Sequence, residues 1–170
     1  MALTIRALAP ADISPHIEDL ADVLLDCVAH GASVNFMADL SRTRALAFWR
    51  DIGSADDGRV VAIAEAGGRV VGTAQMIPAP QDNQPHRADV AKMLVHTNAR
   101  RSGLGAALLA VVEDAARAAG KTLLTLDTAS EDAARLYERS GYQLAGRIPG
   151  YALFPDGTLC DTLLYYKPLD

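Results

Sequence analysis

The chain opens on an alternating apolar and polar run, residues 3–8, that stops before Pro10 and predicts a strand. Ser14 then reads as a helix cap with Pro15 at the first helical position. Ile17, Leu20, Ala21, Leu24, Leu25 and Val28 recur at the spacing of one buried helical stripe, and Gly31 ends it. Residues 30–40 break that period. A second helix is predicted after Ser41, burying Ala45, Phe48, Trp49 and Ile52. The Val-rich runs 59–66 and 69–77 flank Gly67-Gly68, a pair able to take the positive φ of a tight turn, and so predict a hairpin. Pro78, Pro80 and Pro85 mark a loop. A strand at 88–97, a helix at 104–119, a short apolar strand at 122–127 and a helix capped by Ser130 and ended by Gly141 follow. Strands at 142–147 and 159–167, joined through Pro155-Asp156-Gly157, close the pattern. The two strand-helix-strand units after residue 88 predict parallel neighbours and the hairpins antiparallel ones. The fold class is therefore α/β, a mixed sheet flanked by helices.

Composition narrows the class. With 170 residues, 50% of them hydrophobic and 22% charged, the chain suits one globular domain, residues 1–170, that needs neither disulfide nor metal to fold. Sixteen Lys and Arg against 21 Asp and Glu give a net charge of −5. That balance argues against a surface built as a whole for nucleic acid or an anionic membrane. Cys27 and Cys160 read as reduced, buried thiols, one on a helix and one on a strand. The early residues lack the shape of a signal peptide and no run is long enough to span a membrane, so a cytoplasmic protein is expected. His16, His30, His86 and His96 lack metal-ligand spacing and no C-x-x-C is present, so no metal site is expected. His30 reads as the last residue of a helix, where a cation suits the dipole.

The informative stretch runs from Leu94 and Val95 through Arg100, Arg101, Ser102, Gly103, Leu104 and Gly105 into an Ala- and Leu-rich helix. Strand, basic turn, glycines and helix make an anion-binding arrangement. The first N–H groups of a helix lack intrahelical partners and sit at the positive end of its dipole, and glycines let a phosphate approach them. A mononucleotide P-loop would require a Lys and a Ser or Thr that are missing. A dinucleotide site gains from Asp127, about 20 residues on, yet Leu108 stands where its third glycine belongs and too few strand-helix units follow. A plain tight turn with solvated arginines needs no ligand at all.

Arg100-x-x-Gly103-x-Gly105, followed by Leu136-Tyr137 and Gly141-Tyr142, resembles the acyl-CoA motif and its sequel in the GNAT family of N-acetyltransferases, and the element order agrees over nearly the whole chain. The resemblance implies acetyl-CoA as cofactor, bound by Leu94, Val95, residues 100–105 and Ser130, with a small-molecule amine as acceptor. Thr97 departs from a frequent Pro and Ser130 from a frequent Asn. A narrower similarity, to tabtoxin resistance members of the family, rests on residues 31–40, Leu126-Asp127-Thr128, Pro149-Gly150-Tyr151 and Pro155-Asp156-Gly157; it implies a β-lactam amino-acid acceptor. A homodimer is a family-level expectation.

Transfer requires a neutral amine, a stabilised oxyanion and a proton for the leaving thiolate. The resemblance puts Tyr137 in the proton-donating place, against the alternative of a packing tyrosine. Asp127 ends an otherwise apolar strand beside the expected crevice; Asp89 is its rival as base, and a water chain is a third route. Asn35, Phe36, Met37 and Tyr151 are the candidate acceptor-binding residues, against packing under the loop. A non-catalytic acyl-CoA binding module is the alternative function, and a protein N-terminus or a polyamine the alternative acceptor.

Overall fold

The computed structural model describes residues 3–170. The first run forms β1 (Leu3–Leu8) and the helical stripe forms α1 (Ile17–Ala29). In α2 (Arg42–Gly53), Ser41 accepts a hydrogen bond from the Arg44 N–H and caps the helix, as its position before the apolar stripe predicts. Gly67 and Gly68 both adopt positive φ and turn β2 (Val60–Ala66) into β3 (Arg69–Pro78). Then follow β4 (Arg87–Val95), α3 (Leu104–Ala118), β5 (Leu123–Thr128), α4 (Glu131–Arg139), β6 (Gln143–Leu153) and β7 (Leu159–Pro168).

The strands make one seven-stranded sheet in the order β1-β2-β3-β4-β5-β7-β6. Among the described residues only β4 and β5 are parallel neighbours. Strand alternation sends Ala62, Ala64 and Leu124 to one face, under Leu104, Leu108 and Val112 of α3 and Tyr137 of α4. Val61, Ile63 and Leu94 point to the other face, under Leu20 and Leu24 of α1 and Trp49 of α2. Around β2 and β3 both faces are thus covered, which is why these strands read as nearly continuous apolar runs, whereas β6 is largely exposed. Cys27 and Cys160 are free and buried. Among the described residues no helix is long and apolar enough to cross a membrane.

Three expectations are corrected. The second strand-helix-strand unit does not give parallel neighbours, because β7 occupies the place beside β5 and pairs antiparallel with both β5 and β6. Ser14 caps nothing. Pro10 and Pro15 lie in a 3₁₀ segment (Pro10–His16), and α1 begins only after the second proline, with His16 at its N-cap and no side-chain cap bond. The penultimate strand also runs past residue 147 to Leu153. A register shift between Ile148 and Ala152 takes up Pro149, whose missing N–H would otherwise interrupt the ladder.

Candidate active site

The parallel pair β4 and β5 is in register only at Arg87 with Leu123, Ala88 with Leu124 and Asp89 with Thr125. Beyond that root the strands part. On its other side β4 stays paired with β3, but the register shifts between Thr73 and Gln75, and Lys92 takes a φ of 50°. Such a bulge bends a strand and re-aims its side chains. From Val90 to Val95 the β5-facing edge of β4 is therefore an unpaired strand edge, and Leu94 and Val95 lie at its far end.

That edge leads into the turn before α3. Gly103 is the N-cap of α3, with φ 81° and no side-chain cap bond, whereas Ser41 and Ser130 cap α2 and α4 through their hydroxyls. Apart from its own chain neighbours, nothing lies within 4 Å of a Cβ placed on Gly103, so the space before the first turn of α3 is open. Gly105 is small for a different reason. A Cβ there would meet Leu136 Cδ2 at 2.9 Å, so this glycine lets α3 and α4 approach one another. Leu104 belongs to the core. Arg101 is exposed with φ 60°, and Ser102 Oγ donates to the Ala99 carbonyl. Arg100 folds back: its Nε donates to the Val95 carbonyl at 3.0 Å and its Nη2 lies 3.8 Å from Cys27 Sγ. Ser130 both caps α4 and has its N–H bonded to Thr128 Oγ1.

The proposed acid–base residues separate. Tyr137 is buried among the rings of Tyr142 and Tyr165. Burial, and secondly the charge of Asp127, push its hydroxyl well above the ordinary tyrosine value, so it is a proton donor and not a phenolate at neutral pH. Asp127 is exposed at the open end of β5, and Thr162 Oγ1 donates to its Oδ2 at 2.9 Å. Asp89 sits two residues nearer the closed root, about 7 Å along the strand direction. It forms an ion pair with Arg87 and accepts from the Thr125 hydroxyl, to which Arg87 also donates.

Residues 31–40 lie across the end of the β6–β7 hairpin, tied by the Ala38 N–H to the Pro155 carbonyl and by Ser33 Oγ to the Leu153 carbonyl. Asn35, Phe36 and Met37 line a groove of about 260 Å³ with Ser33, Ala152 and Leu153. Asn35 takes φ 74°, and Phe36 packs edge-on against Phe48. Tyr151 is 57% exposed and does not line this groove, and neither does Asp127.

Two residues of this region had no sequence signal. Asp26, on α1, accepts from the Thr97 N–H at 2.7 Å and from its hydroxyl at 2.9 Å, with His30 and His96 beside it. Thr97 therefore uses the N–H that a proline would lack. Burial raises the Asp26 carboxyl, but the bonds from Thr97 and the charges of His96 and His30 outweigh it and hold the group below the usual carboxylate range. His30 itself ends α1, its Nδ1 donating to the Asp26 carbonyl at 2.7 Å. The other is Lys92, a charged residue within an apolar strand.

A model of the acetyltransferase (GNAT) family matches residues 25–142. An N-acetyltransferase of Azospirillum brasilense described as uncharacterized, from the hisH-hisA intergenic region, is 29% identical over 113 residues, 65% of this chain and 67% of that protein. In fold, the chain is similar to yncA of Salmonella typhimurium, a putative acetyltransferase solved with acetyl-CoA, at TM-score 0.79 and 24% identity over 100% of this chain and 95% of that one. A phosphinothricin acetyltransferase of Sinorhizobium meliloti, also solved with acetyl-CoA, gives TM-score 0.80 and 21% identity over 99% and 89%.

Proposed function

The chain belongs to the acetyltransferase (GNAT) family, and from that premise we propose that it moves the acetyl group of acetyl-CoA onto the amine of a small zwitterionic molecule, a tabtoxin-type β-lactam amino acid being one example. The observation that carries the reading is the cleft where β4 and β5 part, lined by unpaired strand edge and ending at a helix N-terminus without a side-chain cap. The fit to acetyl-CoA is chemical. A pantetheine arm carries amides that can pair with a strand edge in the manner of an added strand, and a pyrophosphate suits the free N–H groups and dipole of α3.

When bound, acetyl-CoA supplies a thioester whose carbonyl carbon takes the amine and whose sulfur leaves as a thiolate. The chain's residues do the rest. Backbone N–H groups near Leu94 and Val95 stabilise the oxyanion, because fixed donors at the strand end need no reorganisation as charge develops. Tyr137, kept protonated by its burial, gives its proton to the departing sulfur. Asp127 takes the proton that the acceptor ammonium must lose before it can attack. Arg100 braces the loop through Val95 rather than reaching out to the phosphates. Asp89, already engaged by Arg87 and Thr125, is left out of the acid–base work.

CoA release measured over a panel of amines, with product mass by mass spectrometry, tests the reading. Release with one or more small amino acids, and none without an amine, is the expected result. Acetyl-CoA binding without release for any amine would make the protein a binding module instead. Gly103→Glu puts a carboxylate and a strained φ into the open space before α3 and should reduce acetyl-CoA affinity by at least about 100-fold in calorimetry, with an unchanged circular dichroism spectrum. Unchanged affinity in that folded variant would remove the loop from the cofactor site.

A further inference from the structure

Lys92 is a residue of the open cleft whose charge the steps above leave unused. It occupies the bulge of β4 in a left-handed conformation that a lysine adopts only when its surroundings impose it. Its ammonium stands 5.7 Å from the ring centroid of Phe48, on the α2 side of the sheet, and Phe48 in turn touches Phe36 of the loop over β6 and β7. Among the described residues it forms neither an ion pair nor a hydrogen bond, although Asp127 is near enough for its charge to be felt. Burial pulls the ammonium below the ordinary lysine value and Asp127 opposes that shift.

A second orphan lies one strand away. Gln75 is 1% exposed and stands opposite Ala91, the neighbour of Lys92, in the β3–β4 register. Its Oε1 accepts from Arg59 at 3.2 Å, while its Nε2 has no partner among the described residues. Buried donors in folded proteins are nearly always paired, so an unpaired amide N–H on the strand next to that of an unpaired ammonium points to an absent acceptor group. Two donors call for oxygen, and the ammonium calls for an anion.

We propose that Lys92, supported by Gln75 Nε2, binds the carboxylate of the acceptor, while Asp127 faces the same molecule's amine. This rests on the acetyltransferase reading and specifies its substrate class. An α-amino acid carries ammonium and carboxylate on one carbon, so it fits between a carboxylate and an ammonium with charges alternating along the row. A polyamine would set a second cation against Lys92, and a carboxylate-free amine would leave both donors unpaired. The rings of Phe48 and Phe36 then offer an apolar wall to the acceptor's remaining atoms, and contact with Phe48 fixes where the Lys92 stem can point.

The test compares matched acceptors, free α-amino acids each set beside its carboxamide and its decarboxylated amine, by kcat/KM at saturating acetyl-CoA. The wild type should prefer the acid, and Lys92→Met should lower kcat/KM for the acid by about 100-fold while sparing the amine, because a site built around a polar group discriminates strongly against its loss. Acetyl-CoA affinity should stay unchanged. Lys92→Arg should keep most of the preference and Gln75→Leu should reduce it by a smaller factor. Should Lys92→Met fail to fold, Lys92→Gln removes the charge while keeping a hydrated end. A wild type indifferent to the carboxylate overturns both the zwitterionic acceptor and the role of Lys92. A wild type that discriminates, with a charge-free variant that discriminates equally, overturns Lys92 alone.

Discussion

At its root the contact between β4 and β5 is closed: three residue pairs are in register, and Asp89, Arg87 and Thr125 complete one another across it. At its tip the same two strands have parted. There, among the described residues, Asp127 is exposed with a single hydroxyl donor, Lys92 is unpaired, and the strand edge lacks a neighbour. Each end carries an aspartate, Asp89 near the start of β4 and Asp127 near the end of β5, and residue type does not distinguish them. What distinguishes them is whether the surrounding groups already satisfy the charge. A carboxylate whose partners are supplied by the fold serves the fold, and one left short of partners is free to take part in chemistry.

Breaking the open end should have the largest effect. Asp127→Asn keeps the shape and the bond from Thr162 but removes the proton acceptor, and Tyr137→Phe keeps the ring packing while removing the donor. Each should reduce kcat by roughly 100- to 10,000-fold, the usual weight of one general acid or base, without changing acetyl-CoA affinity. Single-turnover kinetics, in which chemistry limits the rate, checks this. Either variant retaining most of its kcat would assign that residue to packing or binding.

Asp26 sharpens the comparison, because it sits near the open tip yet is satisfied like Asp89. It is 13% exposed and accepts two bonds from Thr97, so it ties α1 to the loop that enters α3. Asp26→Ala should destabilise the fold by about 3 kcal/mol, the scale of two hydrogen bonds to a buried charge. The pH dependence follows from the direction of the shift. Since the folded carboxyl is held below its ordinary value of 3.8, its contribution is complete at neutral pH and is lost as the pH falls through the folded value. Urea titrations at pH 7 and below pH 4 should therefore show the gap between wild type and variant shrinking in acid. A gap that stays constant would mean that Asp26 acts through packing rather than through its charge.

Much of this is legible in the sequence pattern alone. The helical stripe of α1, the Ser41 and Ser130 caps, the Gly67-Gly68 hairpin and the loop from Arg100 to Gly105 are local signals, carried by residues close in sequence. Tyr137 and Asp127 were reachable through the family resemblance. Apart from the Ser14 cap, lost to the 3₁₀ segment Pro10–His16, the missed features are long-range. Which strand fills the place beside β5 depends on the β6–β7 hairpin folding back, and no local pattern encodes that slot. Asp26 reads as one more polar residue on a helix until Thr97 is placed beside it. Lys92 looks like a solvated charge in a strand, because a bulge on one side and a missing neighbour on the other become visible only when β3 and β5 are in place. Gly105 fits the loop motif by its spacing, and the contact with Leu136 of the next helix that also requires a glycine there has no local signal.

The smallest effect belongs to the closed root. Asp89→Asn removes a charge whose side chain is 43% exposed, from an ion pair with an arginine that is 20% exposed. Arg87 would keep the oxygen of Gln84 at 2.8 Å and that of Thr125 at 2.7 Å, and the new amide oxygen could still accept from the guanidinium. Half-exposed pairs contribute roughly 0.2–1 kcal/mol, so the variant should lose less than about 1 kcal/mol in chemical denaturation. Its kcat should stay within about twofold of wild type, because no step of the transfer draws on a group already held by two partners. Measured beside Asp127→Asn under the same single-turnover conditions, the pair of variants separates a structural aspartate from a chemical one. A large fall in kcat for Asp89→Asn with an unchanged stability would reverse the roles, placing the base at the root of the cleft and leaving Asp127 as an anchor.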